Sequence, residues 1–291
     1  MTQVSKRKVR LSSNDIRILG ARKAGKTTYL AALLRLPEEL RRQFPGLEVS
    51  SSTEEAEKLT EVAKNILERG ASLSPTDIGD EPLYAFQIKI PAFRGLPSRV
   101  LDLVAKDYAG ELFENIGQSH RRDQLKPYFE DWCSAQGWMI MLTDWQRERD
   151  EGLYVPVLNR LLMELSERAA INPELQKLRV AVVMSKCERG ELWPCRLDPE
   201  EDLFKVRLPQ TYQLLKQRLP EKHLQFFACS VFGVRSDRPG DRDPRPNRYS
   251  PDSRMAEAAA YLIDSEDWKP HGLISPLYWL STGRRLHDER L

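Results

Sequence analysis

The chain has 291 residues, enough for one large domain or two small ones, and 41% of them are hydrophobic. Its 45 basic and 43 acidic residues give a net charge of +2, which excludes a global positive field for binding nucleic acid or an anionic membrane. Four scattered cysteines without a CxxC pair argue against a zinc site or a disulfide framework. The basic N-terminus has no apolar segment after it, and no apolar run reaches membrane-spanning length. We therefore expect a soluble, cytoplasmic protein with no nucleic-acid partner and no membrane insertion.

Six short apolar segments, each bounded by turn residues, predict β-strands. They are Ile16–Leu19, Leu83–Ile90, Arg99–Val104, Trp138–Thr143, Arg179–Met184 and Gln225–Cys229. Several are continuous apolar runs, for example Val180 to Met184, which suits strands that are covered on both faces.

Helical patterns fall between these strands, and the clearest is Ser52–Gly70. Ser52 and Glu55 have the spacing of a capping box, apolar residues recur on one face, and Gly70 can end the helix. One further helix is predicted after GKTT and ends at Pro37, and three more cover Arg121–Ser134, Leu153–Ala169 and Gln210–Arg218. The last predicted helix has Ser275 as its N-cap and Pro276 at its first helical position. The alternation predicts an α/β fold with a mostly parallel sheet and helices on both faces.

The domain organisation follows from the same pass along the chain. There is no internal repeat, and we predict a single domain over residues 1–291, with the helix at about 52–70 as an insert. Residues 235–254 are rich in Pro, Arg and Asp and have almost no apolar side chain, which predicts a flexible, solvated surface loop.

The first motif that carries chemistry is GARKAGKT, residues 20–27, which fits the pattern GxxxxGK[ST]. Its two glycines let the backbone curl so that successive N–H groups converge on phosphates. Lys26 would reach the β- and γ-phosphates, and the Thr27 hydroxyl would ligate Mg²⁺. A strand precedes this loop and a helix follows it, and the helix N-terminus adds its dipole. The sequence therefore predicts a phosphate-binding loop.

A second motif, DYAGE, follows the predicted strand that begins at Arg99. It contains Asp107, Gly110 and Glu111. An Asp at the C-terminal edge of a strand can hold a metal ion through water, and a glycine three residues later lets its N–H reach a γ-phosphate. Upstream, Thr76 in LSPTDIGDEP is a candidate sensor of the metal and the γ-phosphate. An ordinary turn threonine fits that position equally well.

A third motif, SKCE, follows the apolar strand VAVVM and resembles the guanine-reading pattern [NT]KxD with two substitutions. In that pattern the lysine stem packs over the base and the carboxylate accepts from two guanine N–H groups, which rejects adenine. Glu188 has the required charge and one extra methylene, and an ordinary exposed loop is the alternative for Lys186 and Glu188. Ser230, in CSVFG, stands where a second base-binding loop would lie.

Together these elements resemble the translation-factor and Ras-like class of P-loop GTPases, because GARKAGKT, Thr76, DYAGE, SKCE and CSVFG occur in the expected order. More narrowly, the chain resembles the bacterial double-GTPase-type proteins of prokaryotic conflict and signalling gene clusters. That resemblance lies in GxxxAGKTTYLAAL, the extra helix before SPT, DYAGELF and the ending KPHGLISPLYWL. The implied fold is a three-layer P-loop NTPase fold with a mostly parallel six-stranded sheet. In that sheet Leu83–Ile90 would be the one antiparallel strand, beside Arg99–Val104.

The resemblance also implies a role for each motif position. The nucleotide-binding residues would be Gly20, Arg22, Lys23, Ala24, Gly25, Lys26, Thr27, Thr28, Gly110, Lys186, Glu188 and Ser230. The metal ligands would be Thr27, Thr76 and Asp107, and the catalytic residues Lys26, Glu111, Thr76 and Arg22.

Two departures from the Ras-like pattern bear on hydrolysis. Glu111 stands where a water-orienting Gln is found, and its charge beside a γ-phosphate is repulsive unless it is paired. Arg22 stands where glycine is favoured, so it could supply charge in cis as an arginine finger does, block a finger from outside, or point into solvent. We therefore expect hydrolysis to be slow or dependent on a partner.

The leading hypothesis is a switch that binds GTP or GDP with Mg²⁺ and controls a protein effector or regulator, with a nucleotide-dependent dimer as another form of assembly. Two alternatives stay open. One is a P-loop ATPase or kinase, favoured by the departures in SKCE. The other is a protein that keeps the nucleotide as a structural or regulatory ligand, favoured by Glu111 in place of Gln.

Overall fold

The computed structural model describes residues 15–36, 38–71, 82–92, 97–118, 122–235, 245–249 and 260–286. Seven strands form the main sheet: β1 Asp15–Leu19, β2 Glu48–Ser51, β3 Leu83–Ile90, β4 Arg99–Asp107, β5 Gly137–Leu142, β6 Arg179–Met184 and β7 Leu224–Ala228. The helices of six residues or more are α1 Lys26–Arg35, α2 Glu38–Gln43, α3 Glu54–Arg69, α4 Gly110–Ile116, α5 Arg122–Cys133, α6 Val155–Ile171, α7 Pro209–Arg218 and α8 Ser275–Thr282.

Shorter elements connect these. Asp150–Tyr154 and Pro199–Phe204 are π-helical, Arg147–Arg149 and Lys205–Arg207 are single helical turns, and the 3₁₀ segments are Pro173–Lys177, Gly190–Leu192, Pro194–Leu197 and Glu221–His223. Two small antiparallel pairs join Val234–Arg235 to Arg245–Pro246 and Arg248–Tyr249 to Tyr261–Leu262. Two of these segments, 245–246 and 248–249, fall inside the region predicted as a flexible loop, whereas 236–244 and 250–254 lie outside the described residues.

The strand order of the sheet is β2-β3-β4-β1-β5-β6-β7. β3 runs antiparallel to both of its neighbours, and every other pairing is parallel. This confirms the predicted α/β fold, including the antiparallel strand Leu83–Ile90. The predicted number of six strands is wrong, because the edge strand β2 was missed. Its sequence, EVSS, alternates exposed and half-buried residues and has no apolar run to mark it.

Helices cover both faces of the sheet, and the burial of alternate strand residues shows why. Met139, Met141 and Val183 pack with α1, α3 and α8, whereas Ile140 and Val182 pack with α4, α5, α6 and α7 on the opposite face. Because both faces of a central strand are apolar, the strand reads as one continuous hydrophobic run. The architecture is therefore three-layered, as predicted.

Several predicted boundaries need correction. β4 continues to Asp107 rather than ending at Val104, and α4 was not predicted. The last helix begins at Ser275 with Ile274 as its N-cap, so Ser275 is the first helical residue and not the cap. Of the residues that the structure describes, no helix is both long and apolar enough to cross a bilayer.

The N-terminus of α3 is capped by Thr53 and not by the predicted Ser52. The Thr53 hydroxyl accepts hydrogen bonds from the amides of Ala56 (3.3 Å) and Ala85 (3.1 Å) and donates to the Leu83 carbonyl (3.1 Å). One hydroxyl therefore caps the helix and fastens it to β3, a tertiary contact that sequence spacing does not reveal.

We predict that Thr53→Ala lowers the free energy of unfolding by about 1–2 kcal/mol, the range for loss of a helix cap. The exposed neighbour Ser52 is the matched control, and Ser52→Ala should change stability by less than about 0.5 kcal/mol. Urea unfolding followed by circular dichroism measures both. Equal effects of the two substitutions would contradict the assignment of the cap.

Candidate functional site

The parallel strands β1, β4, β5, β6 and β7 all end at the same edge of the sheet. Their C-terminal residues are Leu19, Asp107, Leu142, Met184 and Ala228. The loops that follow them carry GARKAGKT, DYAGE, SKCE and CSVFG. Ligands of open α/β sheets bind outside the carboxyl ends of the strands, so this edge is the candidate site.

The loop between β1 and α1 has the curled backbone that a phosphate-binding loop requires. Lys23 has a φ of 61° and Gly25 a φ of 91°, and the Ala24 amide donates to the Ala21 carbonyl at 3.2 Å. Gly20 lies so close to β5 that a Cβ there would stand 2.6 Å from the Met141 carbonyl oxygen. The loop therefore curls at Lys23 and Gly25, and it begins at a position, Gly20, where only a glycine fits.

Lys26 is the first residue of α1 and is 7% exposed. Its Nζ donates to the carbonyls of Gly20 (3.0 Å) and Ala21 (3.4 Å), so the side chain folds back over the loop. Burial lowers the pKa of Lys26, while the charges of Asp107 and Glu114 act in the opposite direction. The ammonium group is thus held over the curl, where an anion would be its natural partner.

Thr27 and Asp107 meet at the start of α1 and the end of β4. The Thr27 hydroxyl donates to Asp107 Oδ2 at 2.6 Å, and Asp107 is 1% exposed. Its second oxygen, Oδ1, is buried without a hydrogen-bond partner among the described residues, and burial raises the pKa of the carboxyl against the effects of Lys26 and Thr27. A hydroxyl beside an unpartnered carboxylate oxygen suits Mg²⁺, which takes oxygen ligands and keeps several waters. Within the described residues no cluster of three or more His, Cys, Asp or Glu side chains could hold a metal ion.

The DYAGE segment leads into α4, whose first residues lie directly on the phosphate loop. A Cβ on Gly110 would stand 2.3 Å from the Arg22 nitrogen, so the two backbones touch. The guanidinium of Arg22 donates to Glu111 Oε1 at 2.7 Å, and both side chains are about half exposed, at 52% and 51%. The charge of Glu111 is therefore paired, and Arg22 is the residue that pairs it. The Arg22 amide donates to a further carboxylate, that of Glu114, at 3.2 Å.

The SKCE segment is attached to the other side of the phosphate loop. The Ser185 hydroxyl donates to the carbonyls of Ala24 (2.8 Å) and Leu142 (3.1 Å). Lys186 has a φ of 59°, and its Nζ donates to the Lys23 carbonyl at 2.6 Å. Ser185 and Lys186 therefore fix the distance between the loop that follows β6 and the phosphate loop.

Glu188 is almost completely buried, with 1% of its surface exposed. The Ser230 hydroxyl donates to its Oε2 at 2.7 Å and accepts from the Gly233 amide at 2.9 Å. Its Oε1 accepts from the guanidinium of Arg248 at 3.0 Å. The prediction that residues 235–254 are a solvated loop therefore does not hold for Arg248, whose side chain is 15% exposed and is drawn in by a buried carboxylate.

The structure thus joins most of the predicted site residues in one continuous set of contacts. That set comprises Gly20, Arg22, Lys23, Ala24, Gly25, Lys26, Thr27, Asp107, Gly110, Glu111, Lys186, Glu188 and Ser230. Thr28 follows Thr27 in α1 and is half-buried. Thr76 lies outside the described residues. The roles given to these residues stay predictions.

Sequence reasoning missed three residues that the site uses. Ser185 was noted only as a departure from the [NT]KxD pattern, yet its hydroxyl makes the contact to the phosphate loop. Glu114 lies one turn beyond Gly110 in a helix that was not predicted. Arg248 is 60 residues from Glu188, and nothing local in the sequence connects them.

Residues 17–156 match the family model described as Double-GTPase 1. This part of the chain is similar to P-loop GTPases of the double-GTPase type. The matched range contains the phosphate loop and the DYAGE motif and ends before β6. The resemblance inferred from the sequence is confirmed at that level, and guanine-nucleotide binding is what this GTPase family implies.

Among solved structures, the chain is similar to the signal recognition particle receptor SRb-GTP/SRX complex from Chaetomium thermophilum. That comparison has 12% sequence identity and a TM-score of 0.34, and it covers 79% of this chain and 95% of that one. It is also similar to Sup35 complexed with GDP, with 12% identity, a TM-score of 0.30, and coverage of 79% of this chain and 40% of that one. No curated protein matches the chain. The similarity to double-GTPases therefore rests on the family model that residues 17–156 match.

The environment of Lys186 generates a prediction about its titration. Burial, and then the charges of Arg248 and Arg189, lower the pKa of Lys186 to about 8. Amine acylation followed by mass spectrometry across pH 6–11 should therefore give Lys186 a labelling midpoint near pH 8. Lys58, whose pKa is raised by its hydrogen bond to Glu54, should titrate well above it in the same sample.

Arg248→Ala should move the Lys186 midpoint upward, because it removes a nearby positive charge and leaves the carboxylate of Glu188 without that partner. If Lys186 labelled with the same midpoint as Lys58 in the unsubstituted protein, its half-buried position near Arg248 would be contradicted.

Proposed function

We propose that the protein is a guanine-nucleotide switch that binds GTP and GDP with Mg²⁺, hydrolyses GTP slowly or with partner stimulation, and controls a protein partner. The observation that carries this proposal is the curled loop at residues 20–27, which faces Lys26 and meets the buried Thr27–Asp107 pair. A role in bacterial signalling or defence is an expectation from the resemblance, and a cytoplasmic location is one from the sequence composition. A nucleotide-dependent dimer is a further expectation.

The phosphate end of the site explains how a nucleotide would be held. The amides of the loop and the N-terminus of the ten-residue helix α1 offer hydrogen-bond donors and a positive dipole to phosphates. Lys26 would leave the carbonyls of Gly20 and Ala21 and bind phosphate oxygens, gaining a charged partner. Thr27 and Asp107 would hold Mg²⁺, which neutralises negative charge on the β- and γ-phosphates when bound.

The base end supports guanine through the carboxylate of Glu188. Each carboxylate oxygen has two lone pairs, and Ser230 and Arg248 use one on each oxygen. One lone pair on each oxygen is left for the N1–H and N2–H groups of guanine, which adenine lacks in that arrangement. The stem of Lys186, fixed over the loop by its bond to the Lys23 carbonyl, would pack on the face of the base.

The pairing of Arg22 with Glu111 supports slow intrinsic hydrolysis. Glu111 occupies the position from which a residue would orient the attacking water, but its carboxylate is bound to the guanidinium of Arg22 at 2.7 Å. Freeing either group for the γ-phosphate breaks this ion pair. A protein partner that binds Arg22 or Glu111 would therefore change the rate of hydrolysis.

We predict that the protein binds GDP and GTP at least tenfold more tightly than ADP and ATP in the presence of Mg²⁺. Lys26→Ala should weaken binding of all four nucleotides by about 100-fold, since hydrogen bonds from charged groups contribute roughly 1.5–3 kcal/mol each. Lys58→Ala, which removes an exposed lysine of α3, is the control and should leave the affinities unchanged. Isothermal titration calorimetry measures each dissociation constant.

The same calorimetric experiment tests recognition of the base with Glu188→Gln, because the amide keeps the shape of the buried side chain. It should weaken guanine nucleotides about tenfold and leave adenine nucleotides unchanged, because the carboxylate acceptor is lost. A clear preference of the unsubstituted protein for adenine would overturn the guanine assignment in favour of an ATPase or kinase. Nucleotide affinity that survives Lys26→Ala would overturn the proposed site.

We predict that Glu111→Gln raises the single-turnover rate of phosphate release about tenfold, equivalent to about 1.4 kcal/mol. The reason is that glutamine can orient water without placing a negative charge beside the γ-phosphate. Phosphate release from protein pre-loaded with GTP measures the rate, and melting temperature controls for folding. Tight GTP binding with no release from either protein would instead support a regulatory ligand that is not hydrolysed.

A further inference from the structure

Glu114 places a carboxylate on a main-chain amide of the phosphate loop. Its Oε1 accepts a hydrogen bond from the Arg22 amide at 3.2 Å, and Arg22 lies within the GxxxxGK stretch whose amides would converge on phosphates. Carboxylate and phosphate are both anionic oxygen acceptors. An amide that is bound to Glu114 is therefore already occupied by an anion that the protein itself supplies.

Glu114 lies at the part of the loop where a γ-phosphate is expected. Gly110, whose amide is expected to meet a γ-phosphate, lies against Arg22, with its Cβ position 2.3 Å from the Arg22 nitrogen and 2.5 Å from the Arg22 Cα. No phosphate oxygen fits between backbones this close. The charge of Glu114 also acts on Lys26, opposing the fall in its pKa that burial causes, so Glu114 lies within the field that a phosphate would enter.

The helix that carries Glu114 is fixed in this position from two sides. Leu112, Phe113 and Ile116 bury their side chains in the core, at 2% exposure each. On the solvent side, Glu111 holds the guanidinium of Arg22. The seven residues of α4 therefore present Glu114 to the loop as part of a packed element.

We propose that Glu114 is a specificity-determining residue that makes the site prefer a nucleoside diphosphate over a nucleoside triphosphate. A diphosphate can occupy the loop while Glu114 keeps the Arg22 amide. A γ-phosphate requires that amide and the space beside Gly110, so it must displace the carboxylate and lift α4 from the loop. This inference rests on the proposed nucleotide site and assigns the group within it that senses the third phosphate.

The test compares GDP with a GTP analogue whose β,γ-bridging oxygen is replaced by NH, so that hydrolysis does not interfere. The unsubstituted protein should bind GDP at least tenfold more tightly than the analogue in the presence of Mg²⁺. Glu114→Ala should tighten the analogue about tenfold, or about 1.4 kcal/mol, and change GDP affinity less than about twofold. Glu114→Gln keeps an acceptor without the charge and should give a shift in the same direction.

Asn115→Ala provides the matched control, because Asn115 is the half-buried neighbour in α4 and its side chain makes no hydrogen bond with the described residues. Its ratio of diphosphate to triphosphate affinity should equal that of the unsubstituted protein. Melting temperatures identify any variant that does not fold, and the conservative Glu114→Gln then decides the outcome.

The possible failures are distinguishable. If the unsubstituted protein binds neither nucleotide, the proposed function fails. If it binds both, and neither Glu114 variant shifts the ratio by more than about threefold, the role of Glu114 is overturned while the nucleotide site stands. If Asn115→Ala shifts the ratio as much as Glu114→Ala, the preference belongs to the stability of α4 and the assignment to the carboxylate is likewise overturned.

Discussion

The main chain from Gly20 to Thr27 is the constraint on which the rest of this molecule depends. Its polar groups face inward on a tight curl, and a buried backbone group without a partner is costly, so neighbouring segments supply partners. The Ser185 hydroxyl binds the Ala24 carbonyl, Lys186 Nζ binds the Lys23 carbonyl, and Lys26 Nζ binds the Gly20 carbonyl. The loops that follow β4 and β6 are therefore positioned by contact with one short stretch of backbone. A change in the shape of that stretch would therefore disturb every part of the site.

Burial at this edge of the sheet also places charges where solvent does not screen them. Lys26 and Asp107 are 7% and 1% exposed. Burial lowers the pKa of Lys26 and raises that of Asp107, so it favours the neutral form of each, and the attraction between the two charges opposes both shifts. Asp107 keeps one oxygen without a hydrogen-bond partner in the described part of the chain. Such a group is costly in a folded protein unless a ligand or ion completes it. The same arrangement that lowers stability therefore favours the binding of a cation and an anion together.

The sequence allowed prediction of features that depend on neighbours in the chain. Continuous apolar runs such as Val180 to Met184 identified buried strands, and the spacing of GARKAGKT identified the curled loop. Features set by distant residues were missed. Thr53 rather than Ser52 caps α3, because its hydroxyl also binds β3, and Arg248 is drawn to Glu188 across 60 residues. The two departures from the Ras-like pattern, Arg22 and Glu111, were visible in the sequence, but only the structure shows that they form an ion pair. Because Arg22 neutralises its charge, Glu111 repels a phosphate less.

Movement of the DYAGE segment is limited by an anchor directly before α4. The Tyr108 hydroxyl donates to Asp131 in α5, and the same carboxylate receives Arg17 at 3.2 Å and Lys106 at 3.0 Å. Burial raises the pKa of Asp131, but the Tyr108 hydrogen bond and the two positive charges outweigh burial and lower it, so the carboxylate stays ionised. Tyr108 is therefore fixed to the sheet and to α5, while Gly110 touches the phosphate loop two residues later. Because the chain between them is so short, a displacement of α4 must rotate about this anchor or break it.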